Sequence, residues 1–109
     1  MAIHYVALLK RRADLTLEAF LDAWLGEHAT LASALPFVRE VRFMPAVPND
    51  AFASDCDGAG ILVFDSLDAL RTSLESHEAR QLRAHTATFA DTAAAIRVVV
   101  NSSSNGWPA

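Results

Sequence analysis

Ile3 to Leu9 forms an almost unbroken apolar run, interrupted by His4 and closed by Lys10-Arg11-Arg12. Ile3, Tyr5, Ala7 and Leu9 fall on one side and Val6 and Leu8 on the other, as in a strand covered on both faces. A helical period follows. At 100° per residue, Leu17, Phe20, Leu21, Trp24, His28, Leu31, Ala32 and Leu35 point in one direction. Asp14 or Thr16 offers an N-cap, Glu18 suits the first turn, and Pro36 marks the end, so a helix is expected over 16–34. Residues 37–44 then alternate, Phe37, Arg39, Val41 and Phe43 against Val38, Glu40, Arg42 and Met44, which predicts a second strand. Pro45, Pro48, Asn49 and Asp50 stop it, and the stretch to Gly60 is expected to be loop. Residues 61–64 are a third, buried strand. Asp65-Ser66 caps a helix with Leu67, Leu70 and Leu74 on one stripe, and Ser76 opens a further helical piece with Leu82, Phe89 and Ala93 inward. Residues 96–100 are the fourth strand, and 102–109 a tail beyond a single domain of 1–101.

This order is β-α-β followed by β-α-β. It fits an α+β, ferredoxin-like split βαβ fold, an antiparallel four-stranded sheet with helices on one face. Helices cover only one side, yet three of the four strands are apolar on both. The open face therefore calls for a partner, and a second copy in a two-fold homodimer is the simplest. Burying roughly 400 Å² of apolar sheet per subunit contributes on the order of 10 kcal/mol before association costs.

Composition narrows the classes. The chain has 109 residues, 13 acidic and 9 Lys or Arg, for a net charge of −4. A single domain of this size buries about 65% of its unfolded surface. The mild acidity argues against nucleic acid, which needs concentrated Lys and Arg. A membrane span is not expected, since no run of about 18 uncharged apolar residues occurs. A lone cysteine, Cys56, excludes a disulfide scaffold. The first residues lack the features of a signal peptide, and a reducing cytoplasm is the expected setting.

Several segments resemble the EthD-like proteins. Leu8-Leu9-Lys10-Arg11-Arg12 followed by Leu15-Thr16-Leu17-Glu18-Ala19-Phe20 is similar to their opening. Trp24-Leu25-Gly26-Glu27-His28-Ala29-Thr30-Leu31-Ala32 carries a Trp-x-x-x-His-Ala core. Asp57-Gly58 and Val63-Phe64-Asp65-Ser66-Leu67-Asp68-Ala69-Leu70 resemble the third strand and second helix of that group. The similarity spans about 3–100. It implies the dimeric α+β barrel superfamily, in which two ferredoxin-like subunits close their sheets into a joint barrel. The namesake group is associated with ethyl tert-butyl ether degradation. Related barrels include cofactor-free cyclases, lactone isomerases and oxygenases acting on small aromatic or polyketide-like molecules, and also haem-handling members.

His28 is the sharpest candidate for chemistry. It sits at the centre of an apolar stripe, where an unpartnered imidazole costs ~1–3 kcal/mol, so a hydrogen-bond partner, a water or a ligand is expected there. Desolvation would lower its pKa and leave it neutral at pH 7, able to take a proton from an acidic C–H or phenolic O–H. The structural alternative ties it to a main-chain carbonyl, securing helix to sheet. Trp24, one turn earlier, is either core or the wall of a pocket beside His28, and its indole N–H should seek an acceptor. Tyr5 could donate to a ligand carbonyl or pack at an interface. His4 lies on the opposite strand face from Tyr5 and cannot share its cavity.

Other chemistries find little support. His4, His28, His77 and His85 form no HExxH or His-x-His pairing, and Cys56 has no CxxC companion, so no metal is expected. Haem would need an axial histidine facing a roomy cavity; His28 is formally available. His77-Glu78 and Arg80 suit a solvated helix surface. Phe43 and Phe64 are assigned to the core. No nucleophile elbow or phosphate-binding glycine loop occurs. Lys10-Arg11-Arg12 fits a solvated strand end better than an anion site. The expected function is cofactor-independent processing of a small hydrophobic or aromatic compound, with His28 transferring protons and Trp24 and Tyr5 binding ligand. The alternative is a non-catalytic ligand-binding or accessory protein.

Overall fold

The three helix starts form where a small hydroxyl caps the first turn. Thr16 Oγ1 accepts from Ala19 N at 3.1 Å, Ser66 Oγ from Ala69 N at 3.0 Å and Ser76 Oγ from Ala79 N at 3.1 Å. Thr16 rather than Asp14 is the first cap, because Asp14 holds the Arg12 guanidinium instead. The computed structural model describes residues 2–102. Its elements are β1 (Ile3–Leu9), α1 (Leu17–Ala23), a π-helical turn (Trp24–His28), α2 (Ala29–Ser33), β2 (Glu40–Pro45), β3 (Gly58–Phe64), α3 (Leu67–Leu74), α4 (His77–Phe89) and β4 (Ile96–Asn101). Of the expected tail, Ser102 is described, donating its N–H to Ala2 O at 3.0 Å. The rest of the tail, 103–109, lies outside the described residues.

The strands form one antiparallel sheet in the order β2-β3-β1-β4. Each β-α-β unit is split by a strand from the other, which makes the fold ferredoxin-like. The register sorts the faces. Ile3, Tyr5, Ala7 and Leu9 lie opposite Phe64, Leu62, Gly60 and Gly58 on the helix-covered side. His4, Val6 and Leu8 lie opposite Val63, Ile61 and Ala59 on the other, with Val100, Val98 and Ile96 from β4 beside them. That outer face is apolar and open: Ile96, Val98 and Val100 are all exposed, Val98 by 50%.

Four expectations about the elements need correction. The helix expected over 16–34 is continuous over 17–33 but passes through a π-helical turn. Its buried residues, Phe20, Trp24, His28 and Ala32, recur every four positions. On a 3.6-residue turn each such step drifts by about 40°, and the wider π turn takes up the drift so that all four stay on the sheet. The second strand begins at Glu40 rather than Phe37, because Phe37 takes φ 67° in the turn leaving α2 and is exposed. It runs on through Pro45, tolerated because β2 is an edge strand. The third strand starts at Gly58, three residues early, since its glycines accommodate Trp24. In the second half, α4 ends at Phe89. Ala93 sits exposed in a turn fixed by Asp91 Oδ1, and Leu67 is exposed rather than inward.

The core on the covered face is divided. One cluster gathers Ile3, Ala32, Leu35, Leu62, Phe64, Leu70 and Ala79; the other gathers Leu9, Phe20, Trp24, Phe89 and Ala90. Phe64 is core, as expected, with no exposure. The small side chains of Ala7, Gly60, Ala32 and Ala79 leave space between the clusters.

Candidate functional site

That space is a cavity of about 300 Å³ between the sheet and the helices. The sheet contributes Tyr5, Ala7, Leu9, Phe43, Gly60, Leu62 and Arg97, and the helices Trp24, His28, Ala32, Leu74, Ala79, Leu82, Arg83 and Thr86. The three residues singled out from the sequence, His28, Trp24 and Tyr5, thus border one cavity. His4 faces the opposite side of the sheet.

Trp24 has no solvent exposure and stacks on Phe43, with centroids 5.1 Å apart and planes at 17°. A Cβ on Gly58 would come within 2.5 Å of its six-membered ring, so that strand position must lack a side chain. The expectation that its N–H finds an acceptor does not hold among the described residues, where Trp24 Nε1 is buried without a partner. Closeness of packing wins over the hydrogen bond there. Phe43, assigned to the core, packs against both clusters and also forms the cavity wall, stacking on Trp24 and, at 5.8 Å, on His28.

His28 is 6% exposed and is not tied to a main-chain carbonyl. Its Nδ1 lies 3.1 Å from Nδ1 of His85 on α4, and His85 Nε2 lies 3.2 Å from Glu27 Oε2. The two rings are stacked, and Phe89 meets His28 edge-on at 4.9 Å. Burial, and secondarily the adjacent His85, lowers the His28 pKa from 6.5 to about 4. His28 is therefore neutral at pH 7.

With His85 neutral, the chain of contacts assigns the tautomer. An ionised carboxylate only accepts, so Glu27 takes the bond from His85 Nε2–H. A neutral His85 then presents a bare Nδ1, which accepts from His28 Nδ1–H. This leaves the lone pair on His28 Nε2, which has no hydrogen-bond partner among the described residues, on a side chain that lines the cavity. The Glu27 carboxylate stands in solvent at the other end. Because Glu27 meets the far nitrogen of His85, the three groups form a line and not a cage. Among the described residues no group of three His, Cys, Asp or Glu gathers as metal ligands do.

His85, Glu27, Arg83 and Arg97 were missed as site residues. For His85 a signal existed: Leu82, His85 and Phe89 are spaced three and four apart on one face of α4. Weighed only as half of a metal pair with His77, that spacing goes unread. His77 and Arg80 are exposed, as expected of a solvated surface. Lys10-Arg11-Arg12 forms a strand end in which Arg12 pairs with Asp14 and Arg11 N bonds Asp57 Oδ2 at 2.8 Å.

A four-stranded antiparallel sheet with helices on one face and a histidine-bearing helix closing a cavity against it defines an α+β, ferredoxin-like protein. Within that class the chain belongs to the EthD domain family, whose model matches residues 12–93. It is similar in structure to an ethyl tert-butyl ether degradation (EthD) family protein from Bacillus halodurans, with a TM-score of 0.82 and 17% identity over 94% of this chain and 100% of that one. A dimeric ferredoxin-like protein of unknown function from Bacteroides fragilis follows, with TM-score 0.69 and 18% identity over 93% and 96%. SnoaB, a cofactor-independent oxygenase from Streptomyces nogalater, matches with TM-score 0.67 and 11% identity over 99% and 98%. No curated protein sequence matches the chain. Among the described residues no helix is long and apolar enough to cross a membrane.

Proposed function

We propose that this protein is a homodimeric enzyme that moves a proton on a small hydrophobic or aromatic compound held in the cavity, with His28 as general base and acid. The observation that carries the proposal is the Glu27–His85–His28 line. It supports a bare, neutral Nε2 in an apolar cavity that holds compounds of modest size. His28 Nε2 takes the proton from an acidic C–H or O–H, the bonding pair stays on the ligand as an enolate or phenolate, and the imidazolium gives a proton back at a second atom or to solvent. Such a step needs no cofactor. An imidazole whose conjugate acid has a pKa of about 4 is a weak base, so the proton it takes must come from an acidic C–H or O–H. The line behind it holds the ring in the tautomer that leaves Nε2 bare. Trp24 and Tyr5 bound the ligand's apolar body.

The cofactor-independent oxygenase among the structural relatives supports chemistry without a cofactor, and the ethyl tert-butyl ether degradation protein among them supports a catabolic setting. The open apolar sheet face and the dimeric relative support pairing with a second copy. The direct test is hydrogen–deuterium exchange at the α-carbon of 2-tetralone in D2O. Wild type is expected to accelerate it, and His28→Asn to lose ~10²–10⁴ of the acceleration while still binding the ketone. Equal exchange by two proteins that both bind would remove His28 from the chemistry. Binding with no acceleration by wild type would favour an accessory, ligand-holding role.

A further inference from the structure

The charges around the cavity differ from those of the molecule as a whole. The chain carries −4 overall, yet no lining residue is acidic. The lining includes two arginines, Arg83 on α4 and Arg97 on β4, and both are exposed while Trp24 and His28 are buried. The arginines therefore stand at the rim and the aromatic groups at the floor. Arg97 lies opposite Ala7, on the helix-covered face of the sheet. The neighbouring Val99 on the same face of β4 is 44% exposed, so the cavity opens over this edge strand.

Arg12, Arg39, Arg42 and Arg71 each hold a carboxylate. Arg83 and Arg97, like Arg11 and Arg80 away from the cavity, form no ion pair among the described residues. Arg83 Nη1 donates to Leu74 O at 3.0 Å, which anchors the guanidinium and leaves its other N–H groups for a further acceptor. A guanidinium at the edge of an apolar hollow suits a planar carboxylate, which it binds through two parallel hydrogen bonds.

We propose that the cavity's ligand is a small aromatic or alicyclic monocarboxylate, its ring against Phe43 and Leu62 beside His28 and its carboxylate between Arg83 and Arg97. This rests on the cavity being the ligand site proposed above and adds the anionic class. The closed floor accepts the apolar end, where His28 waits for the labile proton, and the rim keeps the charge in partial contact with water. A neutral ligand of the same shape would fill the floor and leave the rim unused.

Calorimetric titration with 2-naphthoate and its neutral counterpart 2-naphthamide tests this. Wild type is expected to bind the naphthoate about tenfold more tightly, with the preference shrinking as salt is raised. The R83Q/R97Q double variant should bring the ratio of the two affinities close to one. The proposal is overturned if naphthamide binds as well as naphthoate to wild type, or if the preference survives in the double variant. Failure of both compounds to bind also overturns it. If 2-tetralone exchange at His28 persists in any of these cases, the proton-transfer proposal stands and the anionic class alone is lost; if that exchange is missing too, both fall.

Discussion

His28 occupies a place where an aliphatic side chain would pack at lower cost, and its environment opposes the charged form. Burial holds its pKa at about 4 against 6.5 in the unfolded chain. As pH falls from 6.5, the unfolded chain takes the proton first, so unfolding gains protons and stability drops. What His28 contributes is complete above pH 6.5 and is lost as pH approaches 4, on the order of 3 kcal/mol for a shift of that size. Ring-nitrogen NMR should find His28 neutral at pH 6 with its proton on Nδ1, titrating close to pH 4. A midpoint near 6.5, or a proton on Nε2, would contradict the hydrogen-bond line to His85 and Glu27. At this scale the sequence was partly legible. His28 stood out because a polar group broke an apolar stripe. His85 did not, because its partner lies 57 positions away and only the packing of α4 against the π-helical turn joins them.

At the scale of elements, the π-helical turn and the glycines of β3 solve one problem from two sides. Four-residue spacing brings Trp24 and His28 onto the same face, and Gly58 and Gly60 let the indole settle against the strand. Gly58→Ala should therefore destabilise by ~1–3 kcal/mol in urea unfolding, because a buried, stacked indole cannot yield. Gly26 has nothing within 4 Å of where its Cβ would stand. Gly26→Ala should instead stabilise the helix by ~0.5–1 kcal/mol. Equal effects at the two positions would show that Trp24 does not govern Gly58. All four strands and the helical segments were legible from period and caps. The end points that moved did so for reasons of tertiary packing or backbone: Phe37 in a left-handed turn, the glycine start of β3 under Trp24, and an exposed Ala93 after Phe89. A two-residue period cannot register an indole arriving from another element.

At the scale of the molecule, the sheet has two apolar faces with different uses. The inner one is closed by helices except for the cavity, and the outer one presents Val6, Leu8, Ile61, Val63, Ile96, Val98 and Val100 with no element of the described residues upon it. An open apolar face of that extent would compete with the cavity for any hydrophobic ligand. Assignment of the ligand to the cavity therefore depends on a second copy covering the outer face. Sedimentation of the full chain at micromolar concentration measures this directly. A dimer is expected for wild type, and Val98→Glu, which places a carboxylate in the middle of β4's outer row, should yield monomers. A folded wild-type monomer persisting through tens of micromolar would contradict the pairing and reopen the outer face as the place where ligand binds.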